Sequence, residues 1–215
     1  MRVLWLSIAI VGILGLAENF RISTPERRKQ MFVFYTNLSN LLVTVFYLLL
    51  AILPANGGLK QWLLTPLCRI GVAWLISVTI LIYHFVLAVT IRKLPGDDPQ
   101  HMRFFTPANI LVHYIVPLST LAEWFFFADK SGLTIGSCAN LLLLPLIYTG
   151  FLLIRPYLGG GVIRDMNSFY PYPFLDVDRL GYVKVVGNIL FATAALFLWV
   201  VLFWVISAGL SQVFG

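Results

Sequence analysis

Charged residues are scarce in this chain: Asp, Glu, Lys and Arg make up 11% of its 215 residues, whereas a soluble domain has about a quarter. Apolar residues reach 60%, and the mean hydropathy is +0.89. This composition excludes a soluble globular enzyme and predicts an all-α protein that crosses a membrane several times. The basic residues that give a net charge of +6 lie between apolar runs, so we interpret them as topology signals and expect no nucleic-acid partner.

Cysteine and histidine are scarce as well, with two and three residues respectively. Cys68 and Cys138 are too few for a disulfide framework or for a zinc site of the usual kind. A single disulfide between them stays open, because both lie at one predicted face, which could be a periplasm or the cell exterior. No motif marks a nucleotide, a flavin or a catalytic metal, so we expect neither a cofactor nor a metal ion.

Six apolar runs are long enough, or nearly so, to span a membrane, and we expect them to form one transmembrane domain over residues 1–215. The predicted spans are 3–20, 32–53, 70–91, 107–128, 138–155 and 183–208. The first run could instead be a signal peptide, in which case the loop after it would be translocated across the membrane. That loop is basic, however, and basic loops tend to stay in the cytoplasm. We therefore interpret it as a short transmembrane helix.

Basic residues are distributed unevenly between the two sides of the predicted bundle. One side carries four of them: Arg2, Lys60, Arg69 and Lys130. The other side carries eleven: Arg21, Arg27, Arg28, Lys29, Arg92, Lys93, Arg103, Arg155, Arg164, Arg179 and Lys184. Because Lys and Arg concentrate in cytoplasmic loops, we expect a multi-pass protein of the plasma or inner membrane with both termini outside.

The longest predicted loop, 156–182, contains two prolines and four aromatic residues between Ser168 and Asp176. The prolines prevent a regular helix, and aromatic side chains suit the headgroup region. We interpret the loop either as an interfacial flap over the cytoplasmic mouth of the bundle or as a surface anchor with no role in a site.

Small polar side chains cluster at the start of the second span: Thr36, Asn37, Ser39 and Asn40. Such groups are costly in hydrocarbon unless they face protein, water or a ligand. At helical spacing Thr36, Asn40 and Thr44 share one face, which we interpret as the floor of a site. A threonine at a helix start is also often an N-cap, and that alternative stays open for Thr36.

Two histidines lie at the depth of Thr36. His84 in the third span and His113 in the fourth are both at about 5–11 Å from the cytoplasmic surface, so their side chains could converge with Thr36. A purely structural role is the alternative for each histidine. Glu123 follows His113 by ten residues, about 15 Å along the helix, and we expect it to pair with groups on the outer side or to snorkel.

A hydroxyl and a base at common depth are the minimum for nucleophilic acyl transfer. Thr36 would be the nucleophile, with Ser39 as its rival, and His113 would be the base. The amides of Asn37 and Asn40 are the available donors for an oxyanion.

Four stretches together resemble a family of bacterial six-span membrane proteins. They are 34–42, 78–84, 170–176, and His113 with Pro117 and Glu123-Trp124. That family is in turn similar to the animal androgen-induced and androgen-dependent TFPI-regulating (ADTRP-like) proteins, intramembrane threonine hydrolases. The similarity to the animal group is confined mostly to the threonine of the second span and to the histidine followed by a proline.

The resemblance implies a hydrolase of lipid esters, of the fatty-acid ester of hydroxy fatty acid type, with Thr36 as nucleophile and His113 as base. The partners would then be a fatty-acyl ester substrate and the membrane lipids. Neighbouring polar residues are candidates for binding substrate or oxyanion: Asn37, Asn40, His84 and Asn109. The chain departs from the animal pattern at Tyr114, where that group has a small hydroxyl residue.

Two other classes of function stay open. A haem carrier could use His84 and His113 as axial ligands, since they lie at one level on consecutive antiparallel helices. A transporter or small-molecule binding protein could use the Asn and Thr side chains to line a path and the histidines to relay protons. The sequence lacks the pair of interrupted helices in corresponding halves that is typical of many transporters.

Overall fold

The computed structural model describes residues 1–88 and 106–214. Within these ranges the protein is helical and has no β-strand. Six helices are long and apolar enough to cross a membrane, and we name them α1 to α6. They are Arg2–Ile22, Tyr35–Ile52, Pro66–Phe85, Pro107–Phe127, Ile135–Leu158 and Tyr182–Leu210. The all-α prediction is thereby confirmed, and so is the presence of six helices that are long and apolar enough to span a membrane, which indicates a membrane protein.

One predicted bound that differs is the start of α3, which begins at Pro66 and not at residue 70. Thr65 is the N-cap and Pro66 occupies the first turn, where its missing N–H costs nothing. Arg69, which we predicted to be a loop residue, therefore lies inside the helix and is buried. The predicted end of the third span at 89–91 and most of the loop 92–106 lie outside the described residues.

Helices that are consecutive along the chain run in opposite directions, and contacts between the connecting segments define two ends of the bundle. We call the segment between α5 and α6 the flap, and the end of the bundle where it lies the flap end. There Gln30 donates to the Val162 carbonyl (3.1 Å) and Tyr148 donates to the Val33 carbonyl (2.7 Å). At the opposite end, Trp204 of α6 donates to the Leu133 carbonyl (3.2 Å). The start of α1 and the end of α6 both lie at this opposite end.

Close packing of α1 against its neighbours depends on two glycines. A Cβ on Gly12 would lie 3.1 Å from Thr44 Cβ and closer still to its hydroxyl, and a Cβ on Gly15 would lie 3.1 Å from Val112 Cγ1. The face of α1 that carries these glycines contacts α2 and α4 directly. The first apolar run is thus an integral part of the bundle.

The segment between α5 and α6 is held by its own polar contacts. Arg155 donates to the carbonyls of Phe169 (2.9 Å) and Gly161 (2.8 Å), and Asp176 caps a short helix, Val177–Leu180. The chain forms only a 3-10 turn, Pro173–Leu175, across the second proline, which confirms that no regular helix forms there. The segment packs on the flap end of α2, where the Tyr35 N–H donates to the Tyr172 hydroxyl (3.0 Å).

Candidate functional site

Thr36 is the second residue of α2, and the N-cap of that helix is Phe34. The N-cap interpretation of Thr36 is therefore wrong. Ser39 faces α3, where its hydroxyl is 2.9 Å from Thr79 Oγ1, and Asn40 faces α4, where it donates to the Val112 carbonyl. Because a helix turns by about 100° per residue, Thr36 lies between these two directions and faces the groove between α3 and α4.

Asn40 connects this start of α2 to the fourth helix. Its Nδ2 donates to the Thr36 carbonyl (2.7 Å) and to the Val112 carbonyl (2.9 Å), and the residue is fully buried. Both N–H groups of the amide are thus engaged, while Oδ1 is buried without a partner in the described part of the chain. Asn40 thereby holds the Thr36 carbonyl close to Val112, the residue that precedes His113. It could serve as an oxyanion donor only by releasing one of these carbonyls.

His113 lies in a π-helical turn, Leu111–Ile115. Pro117 explains this turn, because a proline lacks the N–H that would bond the His113 carbonyl and its ring would collide with that carbonyl in a regular helix. His113 Nδ1 is 3.0 Å from the Asn109 carbonyl, so in the neutral imidazole Nδ1 carries the proton and Nε2 is the basic nitrogen. The ring lies over the preceding turn, on the side of the flap end.

Tyr83 is a member of the site that the sequence analysis missed. Its ring stacks on His113 with centroids 3.7 Å apart and an interplanar angle of 22°. Asn109 Nδ2 donates to the Tyr83 hydroxyl, and Tyr83 is 3% exposed. Periodicity could not find it, since an aromatic residue in an apolar span has no distinguishing pattern.

His84 is separated from these residues. Its side chain is exposed, and Nδ1 is 3.2 Å from the Tyr114 hydroxyl. The structure thus brings His113 to Tyr83 and Asn109 in the interior and leaves His84 on the outer surface of the bundle. No hydrogen bond joins the Thr36 hydroxyl to either histidine within the described ranges.

Asn37 and Ser39 are both committed to structural hydrogen bonds. Asn37 Nδ2 donates to the Met31 carbonyl (2.9 Å), and its Oδ1 accepts from Asn19 of α1 (2.9 Å), so Asn37 faces away from the groove between α3 and α4. The Ser39 hydroxyl donates to the Thr36 carbonyl (3.0 Å) and is 1% exposed. Thr36 is therefore better placed than Ser39 to act as a nucleophile.

The flap contributes a tyrosine to the first turn of α2. The Tyr172 hydroxyl accepts from the Tyr35 N–H, one residue before Thr36. Burial raises the pKa of Tyr172 above its usual value, so the hydroxyl stays neutral. The flap therefore covers the end of the helix on which Thr36 lies.

A second polar cluster occupies the opposite end of the bundle. Glu123 Oε1 accepts from Arg69 and from Trp5 Nε1 (2.9 Å), and Oε2 accepts from the Tyr47 hydroxyl (3.0 Å). Glu123 is 2% exposed, which confirms that it pairs with groups on its own side and excludes snorkelling. The sequence alone does not indicate Arg69 as a partner of Glu123, because Arg69 falls in a predicted loop.

Over residues 1–88 and 106–214, no group of three or more His, Cys, Asp or Glu side chains could hold a metal ion. Cys68 and Cys138 are both free, so the disulfide left open by the sequence is not formed in this structure.

A scan of protein-family models, a search of curated proteins and a search of solved structures each find no match for this chain.

Proposed function

We propose that this protein is an intramembrane hydrolase of lipid esters, of the fatty-acid ester of hydroxy fatty acid type, with Thr36 as nucleophile and His113 as general base. The observation that carries the proposal is the pair of hydrogen bonds from Asn40 to the carbonyls of Thr36 and Val112. They hold the start of α2 against the turn of α4 that bears His113. The resemblance to the threonine hydrolases assigns the same two residues.

In the proposed reaction His113 Nε2 removes the proton from the Thr36 hydroxyl as Oγ1 attacks the ester carbonyl. The tetrahedral intermediate collapses, the alcohol leaves with the proton from the imidazolium, and the acyl group remains on Thr36. Water then attacks this acyl-enzyme with His113 again as base, which releases the acid and restores the hydroxyl. The Nδ1 contact with the Asn109 carbonyl (3.0 Å) favours the tautomer that this role requires.

The first turn of α2 offers a donor for the developing oxyanion. The first N–H groups of a helix have no partner within it. Here the Tyr35 N–H is bonded to Tyr172 and the Asn37 N–H to the Phe34 carbonyl. Among the described residues, no acceptor outside the helix is found for the Thr36 N–H. We assign this N–H as the main oxyanion donor, since such donors act best where charge develops.

The proposed orientation places the flap end in the cytoplasm and both termini outside the cell membrane. The burial of Arg69 inside α3 removes one of the four basic residues on the outer side and strengthens the asymmetry. Single cysteines at two exposed positions, Lys29→Cys and Ser131→Cys, test it in a background without the native cysteines. An impermeant maleimide should label Ser131→Cys on intact cells and Lys29→Cys only after permeabilisation, and the reverse pattern would contradict the orientation.

The test of the activity is hydrolysis of a panel of long-chain lipid esters by purified protein in detergent. Wild type should turn over at least one ester, Thr36→Ala and His113→Ala should fall to background, and Ser39→Ala should keep most of the rate. Mass spectrometry should find the acyl group on the peptide that contains Thr36. Full activity of Thr36→Ala, or a folded wild type that hydrolyses none of the esters, would overturn the proposal.

A further inference from the structure

Three residues on two helices contact one another in a ring around one imidazole. The Asn109 carbonyl meets His113 Nδ1, the Asn109 side chain donates to the Tyr83 hydroxyl, and the Tyr83 ring stacks on His113. We call Tyr83, Asn109 and His113 the imidazole clamp. The ring is thereby fixed both by a face and by one of its nitrogens, which leaves Nε2 as its basic nitrogen.

Both helices widen into a π turn at this contact, over Tyr83–Leu87 in α3 and Leu111–Ile115 in α4. A π turn adds a residue to the turn and changes the direction in which the following side chains point, and such turns occur often at functional sites. Pro117 accounts for the turn in α4, but α3 has no proline near Tyr83. The widened turn of α3 therefore has no proline to account for it, and it begins at the residue that stacks on His113.

We propose that Tyr83 is a positioning residue for His113, and that the imidazole clamp holds the ring in the Nδ1–H tautomer with Nε2 directed at the substrate. The catalytic meaning of this inference rests on the proposed hydrolase, whereas the tautomer and the stack do not depend on it. Tyr83 acts through its ring face, because a planar neighbour 3.7 Å away restricts rotation of the imidazole. Its hydroxyl holds the Asn109 side chain in place.

Two substitutions separate the ring from the hydroxyl. Tyr83→Phe keeps the stack and loses the bond from Asn109, while Tyr83→Leu loses both. Phe85→Leu is the matched control, since it removes an exposed aromatic side chain that contacts His84 and lies two positions after Tyr83. We expect Tyr83→Leu to lower kcat by about 10- to 100-fold, because misplacement of a catalytic group by about 1 Å has effects of this size. KM should stay within about threefold, and Tyr83→Phe should recover most of kcat.

A spectroscopic measurement tests the clamp without any substrate. Nitrogen NMR of histidine-labelled protein in detergent, with His113→Gln to assign the resonances, should show His113 as the Nδ1–H tautomer in wild type and as a mixture in Tyr83→Leu. An Nε2–H tautomer in wild type, or an unchanged tautomer and kcat in folded Tyr83→Leu, would overturn the inference. If Tyr83→Leu does not fold, an Nδ1–H tautomer in Tyr83→Phe supports the clamp and an Nε2–H tautomer overturns it.

The two proposals fail in distinguishable ways. A wild type that hydrolyses no ester, but whose Nδ1–H tautomer is lost in Tyr83→Leu, would contradict the hydrolase and leave the clamp standing. A wild type that hydrolyses an ester through Thr36, with both kcat and the His113 tautomer unaffected by Tyr83→Leu, would contradict the clamp alone.

Discussion

Asn40 of α2 donates one N–H to the Val112 carbonyl of α4 over 2.9 Å and the other to the Thr36 carbonyl over 2.7 Å. Both acceptors belong to the backbone, so the contact does not depend on which side chains stand at positions 36 and 112. The two halves of the candidate site are thus coupled by a residue that stands outside the proposed proton transfer.

Replacement of this amide should destabilise the bundle. Asn40→Ala removes two hydrogen bonds, one of them between helices, and interhelical bonds in membranes average about 0.6 kcal/mol with a maximum near 1.7. We expect a loss of about 1–2 kcal/mol, measured as a lower thermal unfolding midpoint in detergent. Asn140→Ala, at an exposed position of α5, is the control, and equal midpoints for the two variants would contradict the prediction.

The buried pair of Arg69 and Glu123 predicts a larger effect. Glu123→Gln leaves the Arg69 cation buried without its counter-charge, and removal of one partner from a buried pair costs about 3–5 kcal/mol. The double variant Arg69→Met with Glu123→Gln should be less destabilised than the sum of its single variants. Glu18→Gln breaks an exposed ion pair with Arg21 and should change stability by less than about 0.5 kcal/mol. Additive single effects in the buried pair would refute the coupling.

The contact of α1 with α2 predicts an unusual response to alanine. Gly→Ala within a helix ordinarily stabilises it by up to about 1 kcal/mol. Gly12→Ala should instead destabilise the protein, because its Cβ would collide with the Thr44 side chain. A Cβ on Gly187 in α6 would have no atom within 4 Å, so Gly187→Ala should stabilise the protein in the ordinary way. Addition of Thr44→Ala to Gly12→Ala should restore part of the lost stability, and no recovery would mean that the collision lies elsewhere.

Adjacent glycines of the flap should behave differently. A Cβ on Gly160 would lie 2.7 Å from the Arg155 carbonyl, whereas one on Gly161 would have its nearest neighbour at 3.9 Å. Gly160→Ala should therefore displace the Arg155 contacts and destabilise the flap by about 1–3 kcal/mol, while Gly161→Ala should be nearly neutral. Limited proteolysis of the segment between α5 and α6 measures the difference, and equal cleavage rates would count against this account.

The six long apolar helices could be predicted from the sequence because hydropathy over about 20 residues identifies segments that are able to span a bilayer. The same criterion misplaced the start of α3, since it treats Arg69 as a loop residue. The carboxylate that makes this arginine tolerable, Glu123, is 54 positions away. Local composition contains no information about such a partner.

The candidate site was predictable only in part. The polar residues of α2 and His113 stand out because polar groups are rare in apolar spans. Tyr83 does not stand out, and its stack on His113 depends on two π turns, of which only the one before Pro117 has a cause in the sequence. The commitment of Asn37 to Asn19, which turns it away from the groove, likewise depends on how closely α1 approaches α2.

The cluster around Glu123 also bears on how the chain is assembled. Its three donors belong to α1, α2 and α3, so Trp5, Tyr47 and Arg69 are all synthesised before the acidic residue that they bind. If the helices enter a membrane in chain order, α4 would meet these donors as it inserts, so the Glu123 carboxylate would not stay unpaired in hydrocarbon. Arg69 would instead be without its counter-charge until α4 inserts. A fragment that begins at α4 lacks all three donors, so its first helix would enter the bilayer with Glu123 unpaired.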